Sequence, residues 1–176
     1  MNRGGGDWIQ TYTGKKFYPL DPRPEDICIE DIAHALANTC RYNGHSLVFY
    51  SVAEHCVRMS QANIPGCPKW LLMHDAAEAY ISDVPRPIKP ILSEFKDIEN
   101  HIMSIIAIKF KLDYPDHFAI RYADNVMLAT EKRDVLLPGP KWEIELPEPL
   151  EIIIHPWPPT VAEELFLNTA KELGII

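Results

Sequence analysis

Apolar residues recur three and four positions apart along most of this chain, a spacing that predicts helices. Residues 30–40 place Ile32, Ala33, Leu36, Ala37 and Cys40 on one stripe, and residues 49–62 do the same with Val52, Ala53, Cys56 and Val57. Residues 69–81 are apolar nearly all round, as expected of a helix in the centre of a domain. A fourth helix, capped by Ser93, keeps Phe95, Ile98, Ile102, Ile105 and Ile106 at helical spacing. A fifth starts near Pro115, a residue suited to a first turn, and runs past Asp124 to about Leu137. Thr160-Val161-Ala162-Glu163 has the form of a capping box for the last helix, which Gly174 ends.

The breaks between these segments are equally readable. Residues 1–7 are Gly-rich and expected to be disordered, and residues 8–18 alternate around Thr13-Gly14 in the pattern of a short hairpin. Tyr42-Asn43-Gly44 closes the first helix, with Gly44 free to take positive φ. Pro85, Pro87 and Pro90 exclude a helix from residues 84–90 and predict a shaped loop. Residues 138–159 carry seven prolines, with Ile152-Ile153-Ile154 as a short strand. No repeat or boundary divides the chain, so residues 1–176 read as one all-α domain with a small N-terminal β-hairpin.

Composition narrows the partners. With 25 acidic and 17 basic residues the formal charge is −8, which argues against a surface that neutralises a nucleic-acid backbone. A small phosphorylated substrate remains compatible, since a few cations in one pocket can act against the overall sign. No apolar run approaches the length of a membrane span, and no signal peptide is visible. Cys28, Cys40, Cys56 and Cys67 show no metal or disulfide spacing, which suggests reduced thiols in a cytoplasmic protein.

The candidate chemistry lies in the apolar helix. His74, Asp75 and Glu78 share its stripe at i, i+3 and i+4 spacing. Burying such groups costs several kcal/mol unless they are paired or bind metal. A divalent cation is the simplest partner. The alternative is a half-exposed helix on which all three are solvated, but Trp70, Leu71, Leu72, Met73 and the alanines leave little room for a wet face. His55, one turn from Val52 and Met59, and Asp124, between Ile120 and Leu128, are each ordinary core or surface residues when taken alone. Together with His74 and Asp75 they offer two imidazoles and two carboxylates from three helices. That set suits a borderline divalent ion with open positions (zinc, cobalt, manganese or magnesium).

The blocks Ser51-Val52-Ala53-Glu54-His55, His74-Asp75-Ala76-Ala77-Glu78 and Asp83-Val84-Pro85-Arg86-Pro87-Ile88-Lys89, followed by Asp124, resemble the defining pattern of HD-domain phosphohydrolases. The likeness extends from about Tyr12 to the C-terminus and is greatest to bacterial 5′-deoxynucleotidases and small phage dATP triphosphohydrolases. It implies a compact HD-type helical bundle with His55, His74, Asp75 and Asp124 as metal ligands and Glu78 and Asp83 as catalytic carboxylates. It also implies that Arg41, Lys89 and Arg86 hold phosphate. Tyr42 and Pro87 would then lie flat against a purine, and homo-oligomers are common among helical HD proteins of this size.

The resemblance favours cleavage of dATP to deoxyadenosine and triphosphate, in host cytoplasm if the chain is phage-encoded. A 5′-deoxynucleotidase acting on dNMPs is the alternative. A further alternative, a nucleotide-sensing module without turnover, fits less well with both Glu78 and Asp83 in place.

Overall fold

The computed structural model describes residues 6–176. Most of the disorder expected for residues 1–7 therefore falls outside the described residues, and Gly6 and Asp7 are exposed coil. Strand β1 (Ile9–Gln10) pairs antiparallel with β2 (Lys16–Phe17), with Ile9 opposite Phe17. Gly14 turns the hairpin at φ 82°. Its tip is tied to the first turn of α1 (Ile29–Asn38), where Asp31 accepts from the Thr13 amide at 2.7 Å and the Thr13 hydroxyl at 3.0 Å. Phe17 is fully buried and stacks on Tyr80 with ring centroids 4.0 Å apart, a burial worth about 1.5–3 kcal/mol.

Helix α2 (Val52–Gln61) runs through the centre, with eight of its ten residues buried. Ser51 caps it by accepting the Glu54 amide at 3.1 Å, satisfying one of the free donors of the first turn. It packs against α1, α3 (Pro68–Met73), α6 (His117–Asp134) and α7 (Pro159–Glu172). Helix α5 (Ser93–Phe110) contributes Ile102 and Ile106 to the core and leaves much of its length exposed. The fold is thus the expected helical bundle with an N-terminal hairpin.

The local expectations need four corrections. Residues 69–81 are not one regular helix: α3 ends at Met73 and α4 (Glu78–Ile81) follows. Between them Ala76 bonds back to Met73 at 2.9 Å and Glu78 to Asp75 at 2.9 Å, the i→i+3 pattern of a tightened 3₁₀ turn. His74 and Ala77 keep right-handed backbone angles, so the axis continues while the side chains are re-aimed.

Second, Ser93 is the first residue of α5 and caps nothing; Leu92 is the N-cap. Third, the Thr160 box does not form, because α7 starts one residue earlier on Pro159 and Glu163 instead holds His34 at 3.0 Å. His34 is half-buried and stacks on Tyr12 with ring centroids 3.6 Å apart. Fourth, residues 152–154 form no strand. Backbone groups of this stretch are taken by the end of α6 instead: Arg133 donates to the carbonyls of Leu150 and Ile152, and Asp134 accepts the Ile154 amide at 2.9 Å. Among the described residues, no helix is long and apolar enough to cross a membrane.

Candidate metal centre

The 3₁₀ turn after α3 places His74 and Asp75 side by side, facing His55 on α2 and Asp124 on α6. His55 Nε2 lies 3.3 Å from His74 Nε2 and 3.4 Å from an Asp124 oxygen, while His74 Nε2 lies 3.2 Å from Asp75. Three of the four residues singled out from the sequence, His55, His74 and Asp75, thus bring one ligand atom each within 4.8 Å of one another, and Asp124 adjoins the group through His55. Both rings are oriented from behind. The Nδ1–H of His74 donates to the Leu71 carbonyl at 3.0 Å, and that of His55 donates to Glu131 at 2.5 Å.

With both Nδ1 atoms acting as donors, two Nε2 lone pairs face one another with carboxylate oxygens close by. Lone pairs at this separation repel unless a positive charge lies between them. Burial opposes a charge on His74, but Asp75 beside it raises its pKa well above the ordinary histidine range, so a proton serves when no ion is bound. The donor chemistry of His55, His74 and Asp75 suits a divalent cation, and Asp124, 3.4 Å from His55, is the nearest candidate for a fourth ligand. Burial works against ionisation of Asp75 as well, yet the charge on His74 holds it well below the usual carboxylate range.

Glu131, fully buried on α6, was not singled out from the sequence. It opens the charged run Glu131-Lys132-Arg133-Asp134, which reads as the solvated end of a helix. The available signal was its position seven residues after Asp124, two turns along the same face. Burial alone would raise its pKa, but Arg41 and His55 bring it down to about 2.

Arg41 and Tyr42 occupy a short turn, Arg41–Gly44, after α1, in which Tyr42 and Asn43 take left-handed backbone angles (φ 56° and 51°). Arg41 Nε donates to Glu131 at 3.2 Å, and its terminal nitrogens lie 3.6 Å from Asp75 and 3.9 Å from Asp124. Tyr42, proposed from the sequence as a base platform, donates its hydroxyl to Glu131 at 2.5 Å and packs its ring on core residues.

Beside this centre lies a second acidic group. Glu78, buried on α4, sits with Asp83 and Glu99 such that one oxygen from each lies within 4.8 Å of the others. Burial first, then the charges of Asp75 and Asp83, push the Glu78 pKa up to about 9, so it carries a proton at neutral pH. Lys89 bridges Asp83 at 2.7 Å and Glu99 at 3.5 Å. Arg86 is 58% exposed and 3.5 Å from Asp124, and Pro87 is exposed on the same loop. A separate cleft of about 270 Å³ between hairpin and α1 is lined by none of these residues.

Ser82 joins α4 to this group with φ 60° and ψ 177°, a region nearly exclusive to glycine that costs a serine about 1–3 kcal/mol. The conformation swings the chain so that Asp83 meets Lys89. Ser82→Gly relieves that strain, partly offset by about 0.5–1 kcal/mol of added chain entropy. The expected result is a Tm higher by a few degrees, and a lower Tm would show that the serine is not strained.

No family model matches the chain. It is 38% identical over 170 residues to the uncharacterized protein YfdR of Escherichia coli K12, covering 95% of this chain and 96% of YfdR. It is 31% identical over 142 residues to an uncharacterized protein of Rhodobacter capsulatus, covering 73% of this chain and 72% of that protein. The chain belongs to the YfdR family.

Proposed function

We propose that the chain is a metal-dependent phosphohydrolase of the HD type that releases phosphate from deoxynucleotides. The observation that carries the reading is the pair of facing imidazole nitrogens, flanked by Asp75 and Asp124, with a protonated buried carboxyl on the adjoining helix. A divalent cation bound there would polarise a phosphoryl oxygen and supply a nucleophile at neutral pH. Glu78 holds a proton suited to a departing alkoxide. Asp83 keeps Lys89 in place, and Arg41 presents its terminal nitrogens toward the same point as the ligands.

Charge favours one of the two substrate classes. Besides Glu78, five carboxyl groups (Asp75, Asp83, Glu99, Asp124 and Glu131) stand against Arg41, Lys89 and Arg86, and a divalent ion would offset the excess of acids. All three cations expected to hold a triphosphate are thus already paired with acids, Arg86 on Asp124 being the most exposed of them. A monophosphate, with about two negative charges near neutrality, suits this balance better than a tripolyphosphate. The same reading takes the four cysteines, all free thiols, as those of a cytoplasmic protein.

The test is product analysis with manganese, cobalt, zinc or magnesium against dNMPs, rNMPs and dNTPs. Orthophosphate from dNMPs, faster than any release from dATP, is expected. Inorganic triphosphate from dATP as the main product would make the chain a triphosphohydrolase. Nucleotide binding without turnover under every ion would leave a sensing module.

A further inference from the structure

Four donors end on the Glu131 carboxylate, which is fully buried. One oxygen accepts His55 Nδ1–H at 2.5 Å and the Tyr50 hydroxyl at 3.0 Å. The other accepts the Tyr42 hydroxyl at 2.5 Å and Arg41 Nε at 3.2 Å. A carboxylate offers about four lone-pair directions, so none is left for an ion or substrate. We propose that Glu131 is a positioning residue that locks His55 and Arg41 into one unit, so that the divalent ion and the phosphate of the substrate bind as linked events. The inference rests on the metal-dependent reading above.

The linkage has two halves. Toward the ion, a carboxylate can only accept, so it fixes the proton on His55 Nδ1 and leaves Nε2 bare where Asp124 and His74 meet it. Toward the anion, Glu131 takes the Nε end of the guanidinium and turns the two terminal nitrogens inward. Those nitrogens now lie 3.6 Å and 3.9 Å from Asp75 and Asp124. An ion drawing on these two acids weakens their hold on Arg41 and frees its planar fork for phosphate oxygens.

The turn carrying Arg41 supports the same conclusion. Successive left-handed residues other than glycine cost about 1–2 kcal/mol each, and Tyr42 and Asn43 both adopt that conformation. The Tyr42 hydroxyl bond to Glu131, beside that of Arg41 Nε, ties this strained turn to α6.

The experiment compares full-length wild type, Glu131→Gln and Tyr42→Phe. The His55 tautomer is read from ion-free protein by ¹⁵N NMR, Mn²⁺ affinity by competition with a fluorescent chelator, and inorganic phosphate affinity with and without Mn²⁺. Wild type should show the Nδ1–H tautomer and tighter phosphate binding once Mn²⁺ is present. In Glu131→Gln, Mn²⁺ affinity should fall about 10–100-fold, the Nε2–H form of His55 should appear, and Mn²⁺ should no longer strengthen phosphate binding. Tyr42→Phe, which keeps the His55 bond, should hold Mn²⁺ within about twofold of wild type while phosphate binding weakens; it also serves if Glu131→Gln does not fold.

Wild-type tautomer and affinities in Glu131→Gln, or unchanged phosphate binding in Tyr42→Phe, would overturn the proposal. If wild type binds no divalent ion, the metal reading and the linkage both fail. A converted His55 tautomer in Glu131→Gln would then still identify Glu131 as the group that orients this ring.

Discussion

His74→Ala and Asp75→Asn should each strip the bound divalent ion and reduce turnover to that of metal-free protein. Each variant removes a donor from a set of four, and neither neighbour can replace it. His55 is fixed by Glu131, and Asp124 is already 3.4 Å from His55. The expected loss of affinity exceeds the roughly 10–100-fold typical of residues that only orient a ligand. Asp75→Asn is the cleaner variant, because it keeps volume and removes charge. Elemental analysis after gel filtration, with a melting curve to confirm folding, reads the result; full occupancy in both variants would remove the centre from this site.

The same centre predicts a pH dependence whose sign follows from His74. Its raised pKa means that a proton occupies the ligand nitrogen in ion-free protein well into neutral pH. The ion must displace that proton, so apparent affinity is weak at low pH and rises by up to about tenfold per pH unit. It levels off once the pH exceeds the pKa of ion-free His74. Affinity that is flat from about pH 6 to about pH 8 would show that His74 is not the nitrogen being contested.

The candidate ligand set drew attention because its residues break strong local patterns. A His-Asp pair stands out inside the apolar run Trp70–Ile81, and His55 and Asp124 fall at core spacing on their helices. The 3₁₀ turn between Met73 and Glu78 was not legible: over four residues, periods of 3.0 and 3.6 cannot be told apart in an apolar run. Glu131 was hidden for the opposite reason, since it sits in a charged run whose remaining members do face solvent or backbone. The engagement of Lys89 by Glu99 depends on α5 folding back over the proline-rich loop, a tertiary event that no local pattern encodes. Ile152–Ile154 failed as a strand because strand character needs a partner strand, and the side chains of Arg133 and Asp134 took the backbone groups first.

Glu78→Gln should leave the ion in place and lower turnover by about 10²-fold or more. The resemblance implies both Glu78 and Asp83 as catalytic carboxylates, and the surroundings favour Glu78 as the acid to the leaving oxygen. Asp83 is bound to Lys89 at 2.7 Å, whereas Glu78 is buried beside Asp75 and Asp83 and holds its proton up to a pKa of about 9. A carboxyl that must be protonated to act gives a rate that is steady at neutral pH and falls as pH climbs through its pKa.

An ion on Asp75 removes part of the repulsion that raised that pKa, so the limb in the loaded protein lies below 9 and above the ordinary 4.5. The glutamine keeps a hydrogen-bond donor but has no transferable proton. Its residual rate should therefore lose the alkaline limb altogether while Mn²⁺ affinity stays within about threefold of wild type. Asp83→Asn should cost less and keep the limb, because it loosens Lys89 without touching the proton on Glu78. An alkaline limb that survives in Glu78→Gln and vanishes in Asp83→Asn would return the acid's role to Asp83, and loss of the ion in Glu78→Gln would make Glu78 a ligand instead.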